Sequence, residues 1–156
     1  MLRRFSIRRI RASDLDRILE IEAASFGKDA YDRKLFAEYL HKCGEMFLGA
    51  WKGRKLCGYV LTRIGGGGTR AELISIAVDP AFRRKGLAAL MLESTLRRLR
   101  RRGVVRFSLM VKVTNDAARG FYEKYGFVRT RRVPIYDEDG EDGILMALAL
   151  SESRRA

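Results

Sequence analysis

The chain reads as short apolar runs and amphipathic stretches divided by turn residues. Residues 5–10 (Phe-Ser-Ile-Arg-Arg-Ile) suggest a first strand, after which Ser13 is placed to cap a helix whose Leu15, Ile18, Leu19 and Glu22 fall at helical spacing. A second helix is predicted over residues 33–42. Residues 46–51 and 56–64 are apolar runs joined by Lys52-Gly53-Arg54-Lys55, the mark of a hairpin. The glycines at 65–68 form a flexible tip before a strand at 71–78, so the first four strands make a meander.

A helix beginning near residue 85 carries Leu87, Leu90, Met91, Leu96 and Leu99 as a core stripe, with Glu93 facing Arg97 one turn on. Residues 104–113 then read as a strand, and strand, helix, strand implies a parallel pair. Asn115 is placed to cap a further helix reaching Tyr125, and Gly126 suits the left-handed residue that ends it. Residues 127–135 and 143–150 read as a final antiparallel pair around the polar turn Asp137-Glu138-Asp139-Gly140.

Length and composition change this picture little. The 156 residues, 47% of them hydrophobic and 10% aromatic, suit one folded domain over 1–150 with a solvated tail at 151–156. No window approaches a membrane span, and the Arg-rich start lacks the apolar stretch of a secretory signal, so a cytoplasmic protein is expected. Cys43 and Cys57 have neither metal spacing nor disulfide density, His41 stands alone, and no metal is expected.

Charge matters more: 32 Lys and Arg against 19 Asp and Glu give a net +13, which attracts coenzyme A, acidic peptides, ribosomal RNA or membrane lipids alike. The densest run, Arg97-Arg98-Leu99-Arg100-Arg101-Arg102, falls at a helix end, where cations complement the negative dipole and Gly103 supplies a stop. No aromatic residue interrupts it to stack a base.

The chemistry concentrates at Ile76-Ala77-Val78-Asp79-Pro80-Ala81-Phe82-Arg83-Arg84-Lys85-Gly86-Leu87-Ala88, where a β-branched strand passes through a Pro turn into a basic, Gly-containing loop that opens a helix. First-turn N–H groups lack intrahelical partners and carry the positive end of the macrodipole, so an anion is favoured there. Residues 83–88, Arg-Arg-Lys-Gly-Leu-Ala, resemble the Arg/Gln-x-x-Gly-x-Gly/Ala signature of the GCN5-related N-acetyltransferase (GNAT) superfamily. The segment from Asn115 to Phe127 is similar to the Asn-x-x-Ala-x-x-x-Tyr-x-x-x-Gly-Phe motif that follows the fifth strand in many members. The order of elements agrees over almost the whole chain.

This resemblance implies an α/β (α+β) GNAT fold: a mixed central sheet of about seven strands, four helices, and a V-shaped splay between strands four and five that takes acetyl-CoA. It assigns backbone contacts to Ile76, Ala77 and Val78, and the pyrophosphate contacts to Arg84, Lys85, Gly86, Leu87, Ala88 and Ala89, with Arg83 adding cofactor-binding charge at the mouth of the loop. Asn115 makes a polar contact to the cofactor. Tyr122, which also lies against the cofactor, resembles the tyrosine that protonates the departing thiolate. A phenol with pKa about 10 stays protonated at neutral pH and suits that role.

RimI-type ribosomal-protein N-terminal alanine acetyltransferases carry a strand-five glutamate in a Leu-Glu-Val context where this chain has Leu109-Met110-Val111. A thioether takes no proton. Glu72 resembles the strand-four glutamate that serves histone-type members as general base, and as a bare sequence it is equally a solvated strand-edge carboxylate. The ending Val133-Pro134-Ile135-Tyr136, the acidic turn and an Ile-x-Met-Ala-Leu-like last strand are similar to RimI-type enzymes, which makes Tyr136 a candidate to position the substrate N-terminus.

The acceptor implied is a protein N-terminal α-amine, such as that of a ribosomal protein. At pH near 7.4 an amine of pKa about 7.8 is tens of per cent neutral, whereas a lysine of pKa about 10.4 is only about 0.1% neutral. The alternatives are a small-molecule amine or lysine acetyltransferase, or a non-catalytic acyl-CoA sensor. A basic ribosome- or nucleic-acid-binding protein rests on charge alone, and neither nucleic acid as substrate nor a membrane is expected.

Overall fold

The computed structural model describes residues 4–134 and 140–150. Its elements follow the predicted order: β1 Phe5–Arg9, α1 Leu15–Phe26, α2 Arg33–Cys43, β2 Phe47–Lys52, β3 Lys55–Gly65, β4 Arg70–Val78, α3 Leu87–Arg101, β5 Arg106–Lys112, α4 Asp116–Lys124, β6 Val128–Val133 and β7 Gly143–Ala149. The strand order is β1-β2-β3-β4-β5-β7-β6. β4 and β5 run parallel, while β1 with β2, β2 with β3, β5 with β7 and β6 with β7 are antiparallel, so the sheet is mixed. The parallel register joins Arg70, Ala71 and Glu72 to Arg106, Phe107 and Ser108, the first three residues of each strand, which fits the expected splay. No helix among the described residues is long and apolar enough to cross a membrane.

β7 lies between β5 and β6, although β6 precedes it in the chain. Composition explains the insertion. Gly-Ile-Leu-Met-Ala-Leu-Ala is apolar nearly throughout and needs neighbours on both sides, whereas Val-Arg-Thr-Arg-Arg-Val carries the charge that keeps a sheet edge from pairing further.

Two compact units divide the chain: Met1–Arg63 with Ile74–Arg98, and Ile64–Leu73 with Leu99–Ala156. In the first, Ile18, Ile21, Phe36, Phe47 and Tyr59 form the centre of a core whose Phe36 ring stacks on Phe47 at 5.9 Å and meets Tyr59 edge-on at 5.8 Å. In the second, Phe127 packs against Phe107 at 5.6 Å and Tyr122 at 5.5 Å.

Local chemistry sets the boundaries. Ser13 does not cap α1: it lies inside a 3-10 turn, Ala12–Asp14, and the Asp14 carboxylate instead accepts the Arg11 N–H at 2.8 Å. Asp32 caps α2 by accepting the Leu35 N–H at 3.0 Å. α3 starts at Leu87 rather than 85, because Gly86 has φ 80° and the first helical bond runs from the Leu90 N–H to the Gly86 carbonyl at 3.0 Å. Gly103 (φ 80°) and Gly126 (φ 95°) take the left-handed positions that follow α3 and α4.

The first unit also buries a carboxylate. Glu22 sits in the apolar stripe of α1 at 1% exposure, a location that a charge occupies only when hydrogen bonds replace its water. Three donors do so. Tyr59 Oη of β3 and Ser75 Oγ of β4 (2.9 Å) both donate to Oε1, and the Tyr31 N–H donates to Oε2 at 2.9 Å. Burial, reinforced by the nearby Glu22 charge, pushes the Tyr59 phenol far above its usual range, so it remains a donor. One carboxylate thus joins α1, β3, β4 and the α1–α2 connection.

Removing it strands three donors at once. A hydrogen bond to a charged group contributes about 1.5–3 kcal/mol, so losing three in Glu22→Ala should destabilise the fold by about 4 kcal/mol or more and lower Tm by roughly 8–16 °C. Glu22→Gln, which keeps an acceptor oxygen, should cost about 1 kcal/mol. Denaturant and thermal melts measure both, and an alanine variant within 1 kcal/mol of the parent, on the order of one ordinary hydrogen bond, would show that the network carries no weight.

Candidate active site

β4 alternates along its length: Ala71, Leu73, Ser75 and Ala77 are buried, while Glu72, Ile74, Ile76 and Val78 are half-buried on the other face. Its main chain alternates as well. The Ala77 carbonyl faces β3, where it stands 2.9 Å from the position a Cβ on Gly58 would take, and the Asp79 N–H donates to the Cys57 carbonyl at 2.8 Å. By the pleat, the main-chain groups of Ile76 and Val78 point away from β3, and those of Ala77 do not. Of the three residues expected to offer backbone to a cofactor, Ile76 and Val78 are so oriented. Ala77 is turned the other way, a register detail that the run Ile-Ala-Val does not reveal.

Beyond Val78 the chain makes a 3-10 turn, Pro80–Phe82, capped by Asp79, whose Oδ1 accepts the Ala81 N–H at 2.9 Å. Arg84 (φ 64°) and Gly86 (φ 80°) are both left-handed, with Lys85 between them. A left-handed arginine is strained by about 1–3 kcal/mol and persists only where its surroundings enforce it. The loop leads into α3, where the main-chain N–H groups of Leu87, Ala88 and Ala89 precede the first helical bond. Arg84, Lys85 and Gly86 are exposed, Ala88 and Ala89 half-buried, and Leu87 is buried, which pins the helix start.

α1 enforces this shape through two arginines. Arg17 donates through Nε to the Leu56 carbonyl at 3.0 Å and through Nη2 to the Asp79 carboxylate. Asp79 is held below the usual carboxylate range, first by the Ala81 N–H and then by Arg17, against the opposing effect of partial burial. Burial works against the Arg17 charge, but its bonds to Asp79 and Glu20 outweigh that, so its pKa rises. Arg83 reaches back in turn, Nε to the Val78 carbonyl at 3.2 Å and Nη2 to Ser25 Oγ of α1 at 3.1 Å. Its guanidinium braces the loop, which leaves Arg84 and Lys85 as the loop's outward cations. Neither Arg17 nor Ser25 stood out in the sequence, because nothing in a helical pattern tells which polar residue will meet a distant loop.

The second unit holds the remaining candidates. Asn115 Oδ1 accepts the Ala118 N–H at 3.1 Å and caps α4, leaving its amide nitrogen as the donor. Four and seven residues on, Arg119 and Tyr122 share that helix face. Tyr122 is 6% exposed, its ring packed on Phe121 and Phe127, and its hydroxyl has no hydrogen-bond partner among the described residues. Burial pushes its phenol well above the usual range, so it stays protonated.

Arg119 donates through Nη2 to Asp116, while its buried Nε has no partner among the described residues. Sequence reasoning missed it, although its place one turn after Asn115 was a signal. Glu72 is half-buried opposite Ser108 of β5, and Met110 pairs with Leu145 of β7. Tyr136 lies outside the described residues. Among the described residues no cluster of His, Cys, Asp or Glu could hold a metal, and Cys57 is a buried thiol whose pKa burial raises.

The sequence profile described as Acetyltransferase (GNAT) family matches residues 14–127. An N-alpha-acetyltransferase of Saccharolobus solfataricus is 31% identical over 159 residues, covering 95% of each chain. Among solved structures, Ard1 from Thermoplasma volcanium superposes with TM-score 0.90 at 26% identity, over 95% of this chain and 99% of that one. The ribosomal-protein-S18-alanine N-acetyltransferase from Escherichia coli superposes with TM-score 0.83 at 30% identity, over 96% of each chain. Matched by the family profile over most of its length and by a relative from nearly end to end, the chain belongs to the acetyltransferase (GNAT) family.

Proposed function

We propose that this protein transfers acetyl from acetyl-CoA directly to the α-amine of a protein N-terminus, with a ribosomal-protein alanine as the substrate type. On this reading residues 1–150 form one catalytic domain, 151–156 a tail, and the reaction takes place in the cytoplasm. The observation that carries the proposal is the loop at 84–86, left-handed at Arg84 and Gly86, which leads into a helix start where the N–H groups of Leu87, Ala88 and Ala89 precede the first helical bond. The Saccharolobus N-alpha-acetyltransferase and the Escherichia coli alanine N-acetyltransferase, similar over nearly the whole chain, support the choice of acceptor.

The residues present fit acetyl-CoA. A diphosphate needs clustered donors, and residues 84–89 offer main-chain N–H groups at a helix start with Arg84 and Lys85 beside them. The buried, unpartnered Nε of Arg119 and the unbonded hydroxyl of Tyr122 are donors that a cofactor would satisfy. Bound acetyl-CoA supplies the thioester from which acetyl is transferred. Ile76 and Val78 present main-chain groups to its pantetheine arm and an N–H to the developing oxyanion. The Asn115 amide nitrogen adds a polar contact. Tyr122 gives its proton to the departing thiolate, and Glu72 takes the proton of the attacking amine through water. Tyr136 is the candidate to position the acceptor N-terminus.

A panel of amines with detection of released thiol tests the acceptor. Peptides beginning with Ala or Ser should release coenzyme A, and turnover confined to polyamines or lysine side chains would refute the assignment. Tyr122→Phe removes a hydroxyl and no packing, so kcat should fall about 100-fold, as for loss of a general acid, and by more than acetyl-CoA affinity does. Retained kcat would remove Tyr122 from the proton inventory.

Glu72→Gln should lower kcat/KM about 10-fold or more near pH 7. The deficit should shrink above pH about 8, where an α-amine of pKa about 7.8 is already mostly neutral. A pH–rate profile parallel to the parent's would exclude Glu72 as the base.

A further inference from the structure

The second unit carries a surface that acetyl transfer does not use. Arg70 opens β4 and Arg106 opens β5, and the two stand opposite each other in the parallel pair. The Val105 N–H donates to the Thr69 carbonyl at 2.8 Å and the Val104 N–H to the Leu99 carbonyl at 3.0 Å, which draws the end of α3 to the same edge. Arg100, Arg101 and Arg102 arrive with it, and all five arginines are exposed. Arg70, Arg100, Arg101 and Arg106 make no ion pair among the described residues. The acidic residue nearest in sequence on β4 is Glu72, two positions after Arg70.

The helix dipole accounts for cations in the last turn of α3, but not for arginines that begin two adjacent strands. Like charges directly opposite one another are destabilising, and neutral residues would fold at least as well there. Beside Arg70 the glycine turn Gly66–Gly68 presents no side chains, and a Cβ on Gly67 or Gly68 would meet nothing within 4 Å, so a bulky polyanion can approach.

We propose that this edge binds the sugar–phosphate backbone of a structured RNA, as a docking surface at the opposite end of β4 from the acetyl-transfer loop. All five cations are arginines, whose planar forks match phosphate oxygens in pairs. A regular polyanion with closely spaced charges can engage several at once, and the net charge of +13 steers it in. The apolar content of the patch is Val105, 44% exposed, too little to anchor in lipid. The RNA is bound here and not modified.

The test is fluorescence anisotropy with a labelled RNA duplex of about 20 base pairs, titrated between about 50 and 200 mM salt. Engagement of about four phosphates predicts that Kd weakens about 150-fold over that range. Arg70→Gln with Arg106→Gln should reduce the slope of log K against log salt by about 2, with unchanged melting temperature and unchanged acetylation of an N-terminal peptide. Arg100→Gln with Arg101→Gln should do the same, and serves if the strand variant is destabilised. A flat salt dependence, unchanged binding by the helix-end variant, or tighter binding to poly-glutamate or to phosphatidylserine vesicles than to the duplex would overturn the proposal.

Discussion

Main-chain donors can hold an anion only while something keeps the chain in a shape it would not choose alone. Here that constraint is the grip of α1 on the segment between β4 and α3. Arg84 in a left-handed conformation is unfavourable by itself, and so is a turn of helix with unsatisfied N–H groups. Arg17 and Ser25, about two helical turns apart, fix both sides of the loop, one through Asp79 and the other through Arg83. The Arg17–Asp79 pair is partly sheltered from water, so it is screened less than a surface pair and gains from low local dielectric.

The same helix holds β4 from its buried face. Glu22 ties Ser75 and Tyr59 to α1 with one carboxylate, two residues before the Ala77 whose main chain turns toward β3. Pleat orientation and loop shape are therefore set by one element. Which strand-four residues can offer main-chain groups follows from that setting, and Ile76 and Val78 are the ones. A helix read from the sequence as ordinary amphipathic packing carries the polar contacts that give the loop its form.

What was legible in the sequence was whatever depends on neighbours along the chain. Asn115 as a cap, Gly103 and Gly126 as stops, the hairpin at residues 52–55 and the Gly86 loop are local chemistry, and each stands where it was expected. Ser13 does not cap α1 because the chain enters the helix through a 3-10 turn, Ala12–Asp14, which the helical spacing of Leu15, Ile18, Leu19 and Glu22 does not reveal. Arg83 was read for its charge, whereas its guanidinium meets Val78 and Ser25, a pairing across 58 positions that no spacing rule anticipates. The insertion of β7 between β5 and β6 could have been inferred from its apolar run against the arginines of β6, since the two strands differ in what each can leave exposed.

The missing strand-five glutamate bears on which amine this site can serve. Met110 occupies a strand position in register with Leu145, so no carboxylate from that strand residue takes the amine's proton. A lysine acceptor would have to be deprotonated almost every time it bound, at a cost of about 4 kcal/mol at neutral pH, and needs a strong, well-placed base. An α-amine is already neutral in a large fraction of encounters and needs little more than somewhere for one proton to go. Burial keeps Tyr122 protonated, so under the proposed mechanism the leaving group's proton comes from a residue other than the amine's base. The proposed preference for N-termini thus follows from the part of the machinery the chain lacks as much as from the part it has.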